Sequence, residues 1–141
     1  MKPHGAKELY EFECQILHIT SWHETEHAFD LMYTILWGIW VSEYGSLEGC
    51  PKLDPKEHPL IISPCGTTSF YDPDAHVIHI VPGHRSLIIL VHEITHAMGY
   101  HNHDWRFRKQ YFYLLDRYIG VKKSWLENTY KAWTAFQRTK K

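Results

Sequence analysis

The sequence predicts an α+β fold, in which a small mixed sheet packs against several helices. Apolar residues recur at helical spacing in four segments, and short alternating or apolar runs in four others are typical of strands. The chain has 141 residues, of which 44% are hydrophobic and 22% charged, so it has the composition of a globular protein rather than a disordered one. A chain of this length buries roughly two thirds of its unfolded surface around one core. We therefore expect residues 1–141 to form a single domain.

The first sixty residues predict one strand, one long helix and a loop. Apolar and polar residues alternate over residues 10–16, which is the pattern of a half-buried strand. Ser21 and Glu24 match a capping box, and the apolar spacing that follows predicts a helix over residues 22–44. Residues 44–59 contain two Gly and three Pro, which predicts a loop.

The middle of the chain predicts the small sheet and a helix behind it. Residues 60–62 form a short apolar strand, and residues 68–71 and 76–81 form a hairpin around the turn Asp72–Asp74. Ser86 is placed to cap a helix that ends at Gly99. The apolar face of this helix consists of Leu87, Leu90, Val91, Ile94 and Met98.

Two further helices complete the predicted fold. Asn102 or Asp104 can start the first of them, and Gly120 ends it. Ser124 can cap the second. Their apolar stripes are Phe107, Tyr111, Leu114, Leu115 and Tyr118 in the first helix, and Trp125, Tyr130, Trp133 and Phe136 in the second.

The segment His92–His96 has the HExxH pattern of zinc hydrolases and falls on the helix predicted from apolar spacing. Side chains four residues apart on a helix lie one above the other, so His92 and His96 can both reach one zinc ion. Glu93 points to one side and can accept a proton from a zinc-activated water as a general base. The predicted apolar face is complete without either histidine, so packing does not require them there.

A hydrolytic zinc site needs a third protein ligand and an open coordination position. The spacing HExxHxxGxxH would place a third histidine at position 102, where the chain has Asn102. A glutamate from a downstream helix is poorly supported, because Glu127 is the only Glu after Glu93 and lies in a basic segment. His101 and His103 remain as candidates.

The segment His103–Phe107 resembles the element that follows HExxH in SprT-like and WLM-type zinc metalloproteases, and the similarity extends over residues 76–120. The resemblance implies that His103 is the third zinc ligand. It also implies a compact zincin-like metallopeptidase domain with an active-site helix, and some family members act on proteins crosslinked to DNA. Asp104 can either cap the next helix or orient a ligand histidine.

The expected function is therefore zinc-dependent hydrolysis of peptide bonds in a protein or peptide substrate. Zn²⁺ is the expected cofactor, with His92, His96 and His103 as ligands and Glu93 as the catalytic base. By the same resemblance, the strand at residues 76–81 would form the upper edge of the cleft and bind an extended substrate by strand addition. Tyr100, His101 and Tyr111 are candidate donors for the developing oxyanion.

Two alternatives remain from the sequence. A metal-stabilised module without catalytic activity could contact nucleic acid or a protein partner through the basic C-terminal segment, because residues 121–141 carry six bases and one acid in a chain of net charge -1. A metal-dependent hydrolase acting on another bond is the second, since the zinc and the base do not define the scissile bond.

The cysteines and the apolar runs indicate the compartment. Cys14, Cys50 and Cys65 form no CxxC pair, so the sequence indicates neither a disulfide framework nor a cysteine-based zinc site. The longest apolar run, Leu31–Val41, is too short to span a membrane. We expect a cytoplasmic protein with no membrane contact.

Overall fold

A computed structural model of the protein describes Leu9 and residues 11–13, 28–55, 69–80 and 87–139. Leu9 and residues 11–13 are helical and are called here the N-terminal helical segment. The elements that follow are α1 (Ala28–Tyr44), β1 (Lys52–Pro55), β2 (Phe70–Asp72), β3 (Val77–Ile80), α2 (Leu87–Ala97), α3 (Trp105–Leu114), a π-helical turn (Leu115–Ile119) and α4 (Lys123–Thr139). The α+β class predicted from the sequence is confirmed.

The sheet has three strands in the order β1-β3-β2. β3 pairs with β1 in parallel, with Leu53 opposite Ile78, and with β2 in antiparallel fashion, with Phe70 opposite His79. The predicted mixed sheet and its hairpin are therefore confirmed. Asp72 stabilises the hairpin turn, because its Oδ1 accepts hydrogen bonds from the backbone N–H groups of the second and third residues after it.

The loop predicted over residues 44–59 is wrong at its centre, where β1 lies. This strand has one buried apolar residue, Leu53, and its pairing with β3 rather than a local pattern makes it a strand. The strand predicted at residues 60–62 lies outside the described residues, as does the part of the predicted first helix before residue 28.

The strand predicted over residues 10–16 is also wrong for the residues that the structure describes there. Leu9, Phe12 and Glu13 are buried, and their spacing is that of one face of a helix. The alternating pattern placed Glu13 on the solvent face. Its carboxylate is in fact 1% exposed because it has partners in the core.

α2 lies in the centre of the described structure and is buried over a continuous stretch, residues 88–95. It contacts the sheet, α1 and α3. The expectation that His92 lies off the packed face of this helix is wrong, since His92 is 3% exposed. The helix ends at Gly99 as predicted, with φ of 110° and an N–H donated to the carbonyl of His96.

α3 begins at its predicted cap, Asp104, and its predicted stripe is buried at Phe107, Tyr111, Leu114 and Leu115. The π-helical turn that follows ends at Gly120, with φ of 88°. α4 starts at Lys123 rather than after Ser124, because the N–H of Lys123 donates to Asp116 Oδ2 at 2.8 Å. The predicted stripe of α4 is only partly buried. Its core face consists of Leu126, Tyr130 and Thr134, whereas Trp125 and Phe136 are exposed.

Among the described residues, none of the helices combines the length and the apolar character that crossing a membrane requires.

Candidate metal centre

Three histidine side chains meet between α2 and α3. His92 and His96 lie one turn apart on α2, and His103 comes from the turn that joins the two helices. The Nε2 atom of His103 is 3.0 Å from Nε2 of His92 and 3.0 Å from Nε2 of His96. In the described part of the chain these three residues form the group that could hold a metal ion, and His101 is exposed and outside it.

Local structure on both sides of the turn places His103. The positive φ of Gly99 reverses the chain directly after α2. Asp104 then starts α3, because its Oδ1 accepts hydrogen bonds from the backbone N–H groups of Arg106 (3.0 Å) and Phe107 (3.2 Å). Of the two roles predicted for Asp104, the structure shows the helix cap.

The hydrogen bonds at the far side of two imidazoles fix their tautomers. Nδ1 of His96 lies 2.7 Å from the carbonyl oxygen of Tyr100, which can only accept, so Nδ1 donates and Nε2 carries a lone pair. Nδ1 of His92 lies 2.6 Å from Oε2 of Glu13, and a carboxylate there likewise accepts. In the neutral form of His92, Nε2 therefore also presents a lone pair.

This arrangement fits a bound cation better than a hydrogen-bonded cluster. His103 Nε2 carries at most one hydrogen, so it cannot donate to His92 and His96 at once. Imidazole nitrogens at about 2.0–2.1 Å from a tetrahedral zinc ion lie roughly 3.3 Å apart, which is close to the observed 3.0 Å. A single metal ion matches three imidazoles whose Nε2 atoms point at one place.

Burial keeps two of the three histidines neutral. Burial and, to a smaller extent, the nearby charge of His92 lower the pKa of His96 to about 3 and that of His103 to about 4. For His92, burial also acts to lower the pKa, but the charge and the hydrogen bond of Glu13 outweigh it and the pKa is raised. Metal ligation requires the neutral imidazole, and at neutral pH His96 and His103 already have that form.

Glu93 follows His92 on α2 and is 5% exposed. Burial raises the pKa of its carboxyl group to about 8, while the charge of His92 acts in the opposite direction and that of Glu13 raises it. With this pKa the carboxyl group is mostly protonated at neutral pH in the metal-free protein. The positive charge of a bound metal ion would lower the pKa and favour the carboxylate that a general base requires.

The sequence did not predict Glu13 as the hydrogen-bond partner of His92 Nδ1. Oε2 of Glu13 accepts hydrogen bonds from His92 Nδ1 and from the hydroxyl group of Tyr111, each at 2.6 Å. Tyr111 is fully buried and its hydroxyl group also approaches the carbonyl oxygen of Ile88 at 3.3 Å. Tyr111 is therefore not placed to act as the oxyanion donor that the sequence allowed. The helical spacing of Leu9, Phe12 and Glu13 is the signal that could have identified this buried carboxylate.

Phe107 forms the apolar floor of the metal centre. Its ring centroid lies 4.8 Å from that of His92, 4.7 Å from that of His96 and 5.0 Å from that of His103. The side chain is 0% exposed, so it shields one side of all three imidazoles from water. The pattern that places an aromatic residue four positions after His103 thus has a physical reason.

The strand predicted to bind substrate by strand addition is not an edge strand. β3 pairs with β1 on one side and with β2 on the other, so its backbone has no free edge within the described residues. β2 and β3 both contact α2. The ring of His79 on β3 packs against the ring of Phe70, and its Nδ1 atom lies 3.4 Å from Oδ2 of Asp54.

No protein-family model, no curated protein and no solved structure matches the chain. The metal centre is therefore described from the chain's own residues. The resemblance to SprT-like and WLM-type metalloproteases remains a prediction from the sequence of the motif.

Proposed function

We propose that the protein is a zinc-dependent metallopeptidase. The observation that carries the proposal is the convergence of His92, His96 and His103 on one point of the helix that also carries Glu93. A structural zinc site is closed by four protein ligands, whereas a catalytic site has three and an open position. The described residues supply three histidines and no fourth His, Cys, Asp or Glu in the group, which favours the catalytic kind.

Each residue of the centre has a separate task in peptide hydrolysis. His92, His96 and His103 would hold the zinc ion, which when bound would supply Lewis acidity. Glu93 would accept a proton from the attacking water and return it to the leaving amine. The carbonyl of Tyr100 holds His96 in the tautomer that ligation needs. His101 and Tyr100 remain the candidate donors to the oxyanion.

The test compares Glu93→Gln with the wild-type protein. We expect the variant to keep its fold and about one zinc per chain, and to lose peptide hydrolysis by roughly 10²–10⁴-fold because the amide cannot accept the proton. Zinc content is measured by elemental analysis, and hydrolysis with fluorogenic peptides and an unfolded protein. If Glu93→Gln hydrolysed peptides within a few fold of the wild-type rate, Glu93 would be excluded as the general base. Hydrolysis confined to esters or other non-peptide bonds would point to the other hydrolase class.

A trough between α3 and α4 favours nucleic-acid binding as a second candidate function. Two cavities of about 490 Å³ and 460 Å³ share Trp105, Lys109 and Lys123 in their walls. Arg106, Arg108 and Lys131 also line these cavities, and Glu127 is the one acidic residue among the lining residues. Trp105 is 60% exposed and can stack on a base, while the cations attract phosphates. The positive surface is therefore shared by α3 and α4 and does not belong to the C-terminal segment alone.

Salt-dependent binding of labelled single-stranded DNA tests this second function. The double variant Lys109→Glu/Lys123→Glu should bind more weakly and with a smaller dependence on salt concentration, because fewer counterions are released. Lys52→Glu is the matched control, since Lys52 is an exposed cation on β1, outside the walls of the trough. Equal binding by the wild type, the double variant and the control would exclude the trough as the nucleic-acid binding site.

We also propose the cytoplasm as the compartment. The three cysteines of the sequence suggest no disulfide framework, and Cys50 has a free thiol group. Fractionation of the producing cells tests this proposal directly. Recovery of the protein with its cysteines paired would contradict it.

A further inference from the structure

We propose that Glu13 is a positioning residue for the metal centre, and that metal binding and docking of the N-terminal helical segment stabilise each other through it. The inference rests on the proposed metal centre and is independent of what the centre hydrolyses. Glu13 lies 79 residues before His92 in the sequence and outside the HExxH motif. Its role is to hold a ligand rather than to touch the reacting atoms.

The contacts of Glu13 are those of a carboxylate that orients a ligand. Oε2 accepts from Nδ1 of His92 and from the hydroxyl group of Tyr111, each at 2.6 Å, and all three side chains are almost completely buried. A carboxylate removed from water is unfavourable unless donors replace its hydration. The two donors fill that need, and the bond to Nδ1 makes Nε2 the atom through which His92 would ligate a metal ion.

Apolar packing fixes the carboxylate independently of any metal. Phe12, the residue before Glu13, has its ring centroid 5.3 Å from that of Tyr130, 6.3 Å from that of Phe112 and 6.3 Å from that of Trp133. These rings belong to α3 and α4, so the N-terminal helical segment is held by the same helices that surround the centre. Glu13 is thereby placed before a metal arrives, and it fixes one tautomer of His92.

Thermodynamic linkage makes this relation reciprocal. If docking of the segment increases the affinity for zinc by some factor, zinc must increase the equilibrium constant for docking by the same factor. His92 is the ligand that joins the two events, because His96 is oriented by the carbonyl of Tyr100 instead. Loss of Glu13 should therefore weaken zinc binding through His92.

The first experiment measures zinc affinity by competition with a chromophoric chelator. We expect Glu13→Ala to bind zinc about 10–100-fold more weakly than the wild type, as is typical when the partner of a ligating histidine is removed. Glu11→Ala is the matched control from the same segment, since Glu11 is only half-buried, and it should bind within about twofold of the wild type. The absorption spectrum of the Co²⁺ form should change in Glu13→Ala and not in the control. Unchanged affinity and spectrum in a folded Glu13→Ala protein would overturn the proposal.

The second experiment asks whether Glu13 acts through its neighbour. In a His92→Ala background, Glu13→Ala should cause no further loss of the remaining zinc affinity. An equal loss in both backgrounds would show a general effect on stability and would contradict the positioning role.

The third experiment needs no variant and covers the case that Glu13→Ala does not fold. Zinc should slow hydrogen exchange in peptides that contain residues 11–13 of the wild type, and should affect peptides from residues 30–44 of α1 much less. Unchanged exchange in residues 11–13 would refute the linkage. A wild-type protein that binds no zinc would overturn the metal centre itself, whereas one that binds zinc without cleaving peptides would overturn only the proposed peptidase activity.

Discussion

Phe107→Ala tests whether the apolar floor of the centre holds the three histidines together. The side chain is 0% exposed and contacts the rings of His92, His96 and His103. Truncating a fully buried Phe to Ala costs about 3–5 kcal/mol, through lost burial and the cavity that remains. A domain of this size has roughly 7–20 kcal/mol of stability in total, so the variant should fold but melt about 12–20 °C lower. Zinc affinity should fall as well, because the imidazoles lose a common support.

Thermal and denaturant unfolding of the metal-free and zinc-bound proteins provide the measurement. Trp105→Ala is the matched control, since Trp105 lies two residues earlier on the same helix and is 60% exposed. It should change stability by less than about 0.5 kcal/mol. A loss below about 1 kcal/mol for Phe107→Ala, or an equal loss for both variants, would refute the assignment of Phe107 as the floor of the centre.

Three further predictions concern protonation and the turn before α3. The metal-free protein should lose stability as pH falls below about 6.5, because the unfolded chain takes up protons that the buried histidines do not. His96, whose pKa is lowered to about 3, contributes up to about 1.4 kcal/mol per pH unit, and His103, whose pKa is lowered to about 4, adds to this slope. His96→Gln should reduce the slope in urea titrations without abolishing it. Asp104→Ala should lower the free energy of unfolding by about 1 kcal/mol because it removes the helix cap, and Asp104→Asn should lower it less. Equal losses for the two variants in urea unfolding would contradict the capping role of Asp104. Gly99→Ala should lower the free energy of unfolding by about 1–3 kcal/mol, because Gly99 has φ of 110° and alanine would be strained there. Gly38→Ala in α1 should raise it by about 0.5–1 kcal/mol. Thermal unfolding of both variants distinguishes backbone strain from a general effect of the added methyl group.

The parts of the fold that the sequence predicted well depend on local rules. The hairpin of β2 and β3 has its turn chemistry in adjacent residues, and α2 and α3 have a periodic apolar spacing and caps that lie next to them in the chain. The choice of His103 over His101 also depends on short range. The chain reverses at Gly99 and α3 is capped at Asp104, and the last of the four residues between them, His103, meets His92 and His96 of α2.

The parts that the sequence did not predict depend on distant partners. β1 is a strand because it pairs with β3 some 25 residues later, and nothing in its four residues indicates this alone. Glu13 was assigned to a solvent face because a carboxylate between apolar residues normally lies there. Its burial is explained only by donors 79 and 98 residues away. His92 was likewise assigned outside the packed face, although it is both a candidate ligand and a core residue.

If the centre is catalytic as proposed, the burial of the three histidines indicates the side from which a substrate would reach it. His92 is buried and contacts Glu13, Tyr111 and Phe107, whereas His96 and His103 are only partly buried. A catalytic zinc ion needs a position open to water and substrate. The buried side of the centre cannot supply it, so the open position has to face the side on which His96 and His103 meet solvent. The side of the centre at His92 is thus enclosed by protein, and the side at His96 and His103 is accessible to solvent. The proposed catalytic site requires this asymmetry, whereas a closed structural site does not.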